Sequence, residues 1–377
     1  MIPLNRNLSG MKRSSIRTFT NLANATPGCI KLTIGEPDAA TPETIKAAAA
    51  AALAADRTHY APNQGNADLR AAIAASETAR GNAVTDGQVL ITLGATQALF
   101  TALLGILNPG EEVIVPTPAF PLYESIITVA GAKMVPMDLT KTGFQITEEL
   151  LAAHITPNTK AIILNSPNNP TGTVLSEASL AAVKKAVLGK PIFLICDNVY
   201  QQLSYGPCPD LTLDAGLKDQ TILCQSFSKP WAMTGWRVGY LTCPSYVMER
   251  LLLLSAAEIA SVPTFLQDAA LTALDTDVSA MRRIYRQRRD YVCSRLDAMG
   301  LQYPAPEGAF YVFPDISRYG MTSEEFCTRM IREARLAAVP GSCFGAEGYI
   351  RLSYCNSQEE LAEGLNRLEA FIQRLLP

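Results

Sequence analysis

The sequence predicts an α/β protein: a large domain built on a mostly parallel sheet sandwiched by helices, joined to a smaller α+β domain. Three observations predict it. Between about residues 85 and 245, short apolar runs alternate with turn residues and helical spacing, the pattern of β–α–β units. Several of those runs, such as Ile192 to Cys196, are continuously apolar, as strands buried on both faces are. After Leu301 the pattern changes to short strands and short helices.

At 377 residues the chain is too long for one ordinary core. We expect an N-terminal arm and part of a small domain in residues 1–45, the large domain in 46–275 and the small domain in 276–377.

The elements follow in order. Residues 1–30 read as an extended arm with a short helix that ends near Pro27-Gly28. Ile30 to Ile34 reads as a strand running into the turn Gly35-Glu36-Pro37-Asp38. Thr41 is placed to N-cap a helix with Pro42 at its first position, and the alanines from Ala47 to Ala52 favour that helix. A loop spans His59 to Gly65, and helical spacing resumes from Asp68 to Arg80. Val89 to Thr92 is a strand, and Gly94-Ala95-Thr96-Gln97 then opens an apolar helix to Leu107. A strand, a glycine turn and a helix N-terminus together offer free N–H groups and a favourable dipole to an anion. Such turns also occur in α/β proteins that bind no phosphate.

Glu112 to Pro116 is a strand, Thr117 to Phe120 a loop, Tyr123 to Gly131 a helix and Lys133 to Met137 a strand. Lys160 to Leu164 leads into Asn165-Ser166-Pro167-Asn168-Asn169-Pro170-Thr171-Gly172, a stiff polar loop at a strand's carboxyl end, where open α/β sheets bind ligands. Ser176 is placed to cap the next helix. The strand Ile192 to Cys196 ends in Asp197, with Tyr200 three residues on. A carboxylate there is costly unless a cation or donor meets it, although it could equally cap the turn. Pro263 interrupts a helical stretch, and one long helix is expected over roughly 265–299. Its Arg282, Arg283, Arg286, Arg288 and Arg289 read as a solvated face or a subunit contact. Beyond it come Gly308 to Phe313, a helix near Ser323–Glu333, Val339 before Pro340-Gly341, Tyr349 to Tyr354 and a terminal helix.

Composition excludes several classes. A net charge of −3 with 18% charged residues gives no nucleic-acid surface and no polybasic membrane patch. Leu251 to Leu254 is far too short to span a bilayer, and the first fifteen residues lack the apolar segment of a signal peptide. The nine cysteines show no C-x-x-C pair, which favours free thiols and a cytoplasmic location. With only two histidines, His59 and His154, neither a His-rich metal site nor a Ser-His-Asp hydrolase is expected, and no metal is predicted.

The stretch that concentrates chemistry runs from Ser226 to Gly239, after the apolar run Thr221 to Cys224. It carries Ser226, Ser228, Lys229 and Arg237. Burial depresses a lysine's pKa, and a neutral amine condenses with carbonyl compounds. Hydroxyls with a guanidinium are phosphate-binding chemistry. A lysine on a solvated turn beside a surface arginine would read the same way in isolation. Neither a G-x-G-x-x-G fingerprint nor a G-x-x-x-x-G-K-[ST] loop is present.

Taken in order and spacing, these motifs resemble those of the fold-type I, class I/II aminotransferases, which use pyridoxal 5′-phosphate. The resemblance extends from Ile34 to Leu368. It implies that Lys229 bonds covalently to the cofactor and shuttles the proton, and that Asp197 pairs with the pyridinium nitrogen. Asn169 and Tyr200 would bond the ring's phenolic oxygen, and Phe120 would stack on its face. Gly94, Ala95, Thr96, Ser226, Ser228 and Arg237 would hold the phosphate, and Tyr60 would reach the phosphate of a partner subunit, which implies a homodimer. Arg351 would grip the substrate α-carboxylate, bordered by Gly35. Arg17, in Ser14-Ser15-Ile16-Arg17, is a candidate for distal recognition or else part of a surface pair. The implied activity is ping-pong transamination between an amino acid and a 2-oxo acid. A β-lyase of the same fold and a non-enzymatic cofactor-binding regulator are the alternatives. Two departures stand out. Thr96 occupies a position that is lysine in one aspartate-specific subgroup. Asn198 replaces the acidic residue that commonly follows the cofactor aspartate.

Overall fold

The computed structural model of the chain describes residues 2, 4–11 and 15–375. Its strands, in chain order, are β1 (Ile30–Lys31), β2 (Val89–Thr92), β3 (Glu112–Thr117), β4 (Lys133–Asp138), β5 (Thr159–Asn165), β6 (Phe193–Asp197), β7 (Thr221–Ser226), β8 (Gly239–Thr242), β9 (Tyr311–Val312), β10 (Leu336–Ala337), β11 (Val339–Pro340) and β12 (Ile350–Ser353). Seven of them form one sheet in the order β2-β8-β7-β6-β5-β3-β4. Only β8 runs against its neighbours, antiparallel to both β2 and β7. The other pairings in that sheet are parallel. The expected large-domain architecture, a mostly parallel sheet between helices, is therefore the one found.

The continuous apolar runs work as predicted for strands covered on both faces. In β6, Leu194 and Cys196 point into one core while Ile195 points into another. β5 divides Ile162 and Leu164 from Ala161 and Ile163 in the same way. This period-two division follows from the pleat, which sends successive side chains to opposite faces. The helices Glu43–Ala54, Ala67–Ala79, Glu177–Val187 and Thr264–Leu274 close one face, and Gly94–Ile106, Leu122–Val129 and Ser245–Glu258 close the other.

A third core gathers Tyr285, Phe310, Phe326, Leu352, Leu365 and Phe371 with Phe19 and Leu32 from the start of the chain. β1 reaches this region by pairing in parallel with β10, Ile30 opposite Leu336. β9, β12 and β11 make a small antiparallel sheet beside it.

Several local expectations need correction. The strand expected over 30–34 pairs only at Ile30–Lys31. Thr41 does not cap the following helix; Pro42 takes that position and the helix starts at Glu43. The Thr41 hydroxyl instead donates to the Ala232 carbonyl at 2.7 Å and accepts from the Trp236 indole at 3.1 Å. The single helix expected over 265–299 is two, Thr264–Leu274 and Ser279–Ala298. The break falls at Asp275-Thr276-Asp277, where Asp277 accepts from the Ser279 N–H at 2.9 Å and the Thr276 carbonyl accepts from the Trp231 indole at 3.0 Å. Side chains that cap the backbone compete with helix continuation, and here they win. Ser176 does cap its helix, accepting from the Ser179 N–H. The arginine cluster is only partly a solvated face. Arg288 forms a two-pronged pair with Asp38 at 2.8 and 2.7 Å, and Arg289 donates to the Pro306 carbonyl and lies over the Tyr205 ring.

Candidate active site

Because β8 is antiparallel to both neighbours, β2 runs in the same direction as β3, β5, β6 and β7. Their carboxyl ends therefore meet at one edge of the sheet, and each delivers part of the predicted set. β2 leads into Gly94-Ala95-Thr96, β3 into Phe120, β5 into Asn165 and Asn169, β6 into Asp197 and Tyr200, and β7 into Ser226, Ser228 and Lys229. Arg237 precedes β8 at the same edge. From the small antiparallel sheet, Arg351 on β12 faces the same cavity, as does Gly35.

The loop after β5 is held by its own polar atoms. Asn165 donates to the Asp197 carbonyl at 2.8 Å and accepts from the Asn169 N–H at 2.9 Å, so it stitches the ends of β5 and β6 together. The peptide bonds before Pro118, Pro167 and Pro170 are cis.

Lys229 donates from Nζ to the Gly35 carbonyl at 2.6 Å. Burial lowers its amine to about 8; Arg351 and Arg237 act in the same direction, while Cys355 and Glu36 oppose them. Asp197 is buried and accepts from the Tyr123 hydroxyl at 2.6 Å on Oδ2. Burial raises its carboxyl to about 6, against the Tyr123 hydroxyl, the Val199 N–H and the Lys229 charge. Oδ1 of Asp197 is buried and has no hydrogen-bond partner among the described residues. A cationic donor fits that atom, since an unmet buried acceptor costs the full desolvation of the group.

Ser226 and Ser228 hydroxyls lie 2.9 Å apart, and the Ser228 N–H donates to Ser226 Oγ. Beside them the Arg237 guanidinium donates to the carbonyls of Thr234 and Leu93. Gly94 has φ +73°, and a Cβ there would sit 2.7 Å from an Arg237 nitrogen. Two hydroxyls, a guanidinium and a helix N-terminus thus form a cradle whose donor set suits a phosphate.

Arg351 is 3% exposed and has no carboxylate partner among the described residues. It donates to Asn169 Oδ1 at 2.9 Å and to the Thr33 carbonyl at 2.8 Å, and its Nε has no partner among the described residues. Its guanidinium lies 4.4 Å from the Tyr311 ring centroid and 5.1 Å from that of Phe344. Tyr200 and Tyr311 share a 3.0 Å hydroxyl contact. Phe120 meets Tyr123 edge-on at 6.0 Å.

Two predicted residues lie apart from this cavity. Tyr60 is 88% exposed. Arg17 is exposed on the helix Ser15–Asn24, whose Ile16 does line the cavity; Ser14 falls outside the described residues. Gly94 acts from behind Arg237. Sequence reasoning missed Tyr123, Tyr311, Asn165 and Thr33. Tyr123 carried one signal, its place in the first turn after a strand's carboxyl end. Tyr311 sits in an apolar run and carried none.

Residues 27–368 match the family model of aminotransferase class I and II. The chain belongs to that family. A probable N-acetyl-LL-diaminopimelate aminotransferase of Bacillus subtilis is 41% identical, with 98% of this chain and 95% of that protein covered. Aromatic-amino-acid aminotransferase 2 of Thermococcus litoralis is 37% identical, with 98% of each covered. The structure of Thermus thermophilus aspartate aminotransferase with maleate superposes with a TM-score of 0.93 at 35% identity over the whole of both chains. This aminotransferase is accordingly an enzyme dependent on pyridoxal 5′-phosphate, with amino acids and 2-oxo acids as substrates. Its fold is the fold-type I architecture, and the lyase and regulator readings are not favoured.

Proposed function

We propose that the cavity between the sheet edge and β12 is where this aminotransferase transfers the amino group, and that the residues described above divide the work as follows. The observation that carries the reading is the pairing, in one cavity, of a lysine whose amine pKa burial lowers with a buried arginine that has no ion pair among the described residues. When bound, pyridoxal phosphate supplies a carbonyl carbon for the amino group and a cationic ring that accepts electrons from the substrate's α-carbon.

Ala95 and Thr96 N–H groups, Ser226, Ser228 and Arg237 hold the phosphate. Asp197 keeps a negative charge at the ring nitrogen through its unpartnered Oδ1, while Tyr123 fixes Oδ2. Tyr200 and Asn169 donate toward the phenolic oxygen, and Phe120 covers the ring. Arg351 grips the α-carboxylate with its fork, backed by Asn169 and the Thr33 carbonyl, and so orients the α-carbon. Nζ of Lys229 takes the proton from that carbon and later releases it; an amine near pH 8 is matched to this task. Positioned base catalysis of this kind contributes about 10²–10⁴-fold.

The domain division proposed is residues 1–45 and 276–377 around the third core and 46–275 around the sheet. A homodimer is part of the same proposal, because the highly exposed Tyr60 would then reach the neighbouring site. So is a cytoplasmic location, supported by the cysteine spacing.

The test is the cofactor's visible band. In the wild-type enzyme an amino donor should convert it and a 2-oxo acid restore it. In Lys229→Ala, conversion should slow by at least about 10²-fold with cofactor binding weakened. Conversion at near wild-type rate in that variant would remove Lys229 from this role.

A further inference from the structure

Behind Asp197 and Tyr200 lies a buried polar cluster built on Asp210, Asn198, Gln201 and Arg80, none of which lines the cavity. At its centre is Asp210, whose side chain is 3% exposed. A single oxygen, Oδ2, accepts three donors: Arg80 Nη2 at 2.8 Å, Asn198 Nδ2 at 2.9 Å and Gln201 Nε2 at 2.7 Å. Oδ1 accepts from the Thr212 N–H at 2.9 Å. Arg80 is shared with Glu77, which also takes the Asn82 amide and the Tyr240 hydroxyl. The cluster thus links the helix Ala67–Ala79, β8 and the turn that follows β6.

Asn198 and Gln201 flank the two groups that face the cofactor. Asn198 follows Asp197 directly, and Gln201 follows Tyr200. The turn itself has few backbone ties, chiefly Asn198 N–H to the Cys224 carbonyl, Gln201 N–H to the Asn198 carbonyl and Leu203 N–H to the Tyr200 carbonyl. The amides therefore supply much of what orients it. The carboxylate that meets Asn198 comes from twelve residues further on, and the asparagine is its donor.

We propose that Asp210 is a positioning residue for the cofactor site: through Asn198 and Gln201 it sets the turn that aims Asp197 and Tyr200 at the ring. This rests on the reading of Asp197 and Tyr200 as cofactor-facing residues. The Arg80 bond to Asp210 is charge-assisted, and losing the Asp210 acceptor leaves Arg80 Nη2 and two amides without that partner, although Arg80 keeps its bonds to Glu77.

The experiment measures the pyridoxal phosphate Kd by absorbance titration and the visible circular dichroism of the bound cofactor, which reports ring orientation. The variants are Asp210→Asn, Gln201→Ala and Tyr200→Phe, together with the double variant Tyr200→Phe/Gln201→Ala. Gln201 is half-buried, so its truncation remains informative should Asp210→Asn fail to fold. Asp210→Asn should raise Kd about tenfold and Gln201→Ala about threefold, each with altered visible dichroism and unchanged far-ultraviolet dichroism. In the double variant the Gln201→Ala effect should shrink, because Gln201 adjoins Tyr200 and acts in large part through its hydroxyl. Wild-type Kd and dichroism in Gln201→Ala, or full additivity with Tyr200→Phe, would overturn the role of Asp210. Wild-type values in Tyr200→Phe would overturn the reading of Tyr200 and this inference with it.

Discussion

The Tyr123 hydroxyl donates to Oδ2 of Asp197 at 2.6 Å, and both residues are buried. That bond takes one oxygen of the carboxylate and leaves the other aimed at the site. It does not offset the burial, which still raises the Asp197 carboxyl to about 6 from 3.8.

A stability prediction follows for the cofactor-free protein. Between pH 3.8 and about 6 the folded state keeps a proton that the unfolded chain releases. The contribution is therefore fully present below pH 3.8 and is lost as pH rises through about 6, a change of about 3 kcal/mol. Asp197→Asn carries the neutral shape at every pH. Cofactor-free Asp197→Asn should be more stable than cofactor-free wild type at pH 7, with the gap closing toward pH 4. Denaturant unfolding at the two pH values checks this. A gap independent of pH would show that burial does not raise the Asp197 carboxyl in the folded state. The same variant should bind pyridoxal phosphate more weakly, so stability and function move in opposite directions.

Arg351 offers a separate prediction. Its fork is fixed by Asn169 and the Thr33 carbonyl and sandwiched by Tyr311 and Phe344. A lysine keeps the charge and loses both the fork and the stacking. Arg351→Lys should therefore raise KM about 10–10²-fold for every amino donor and 2-oxo acid alike, equivalent to one or two charge-assisted bonds. Steady-state kinetics with donors of different side chains decides it. An effect confined to one side-chain class would place Arg351 at the side chain rather than the α-carboxylate.

Gly94 combines two constraints. Its φ of +73° disfavours any residue with a Cβ, and that Cβ would meet Arg237. Gly94→Ala should cost about 1 kcal/mol of stability and displace the guanidinium from the phosphate cradle. Weakened cofactor binding, measured by titration, should accompany the stability loss. Unchanged affinity would show that Arg237 holds the phosphate from a different position.

Much of the site was legible because strand ends announce themselves. Apolar runs of four to six residues located β2, β3, β5, β6 and β7, and residues just past each run line the cavity. What stayed hidden depends on distance along the chain. Asn198 reads as a departure from the family until Asp210 is seen to supply its carboxylate. Arg288 reads as one of a surface cluster until Asp38, from the other end of the chain, is placed against it. The break at Asp275-Thr276-Asp277 was missed because the flanking helical spacing looked continuous. No period in the sequence reports a contact such as that of Tyr200 with Tyr311.

The segment from Ile30 to Asp38 touches the site through the main-chain carbonyls of Thr33 and Gly35. Its β-partner, Leu336, emerges from the ribosome about 300 residues after Ile30. At synthesis rates of about 5–20 residues per second, the start of the chain waits about 15–60 s for that partner. The sheet domain can be assembled by then, while Leu32 and Phe19 remain uncovered until the last helices arrive. Arg351 is likewise made more than 300 residues after the Thr33 carbonyl it binds. Cofactor capture by the sheet edge can precede the substrate's binding site in time, so a nascent enzyme can be loaded before it is able to turn over.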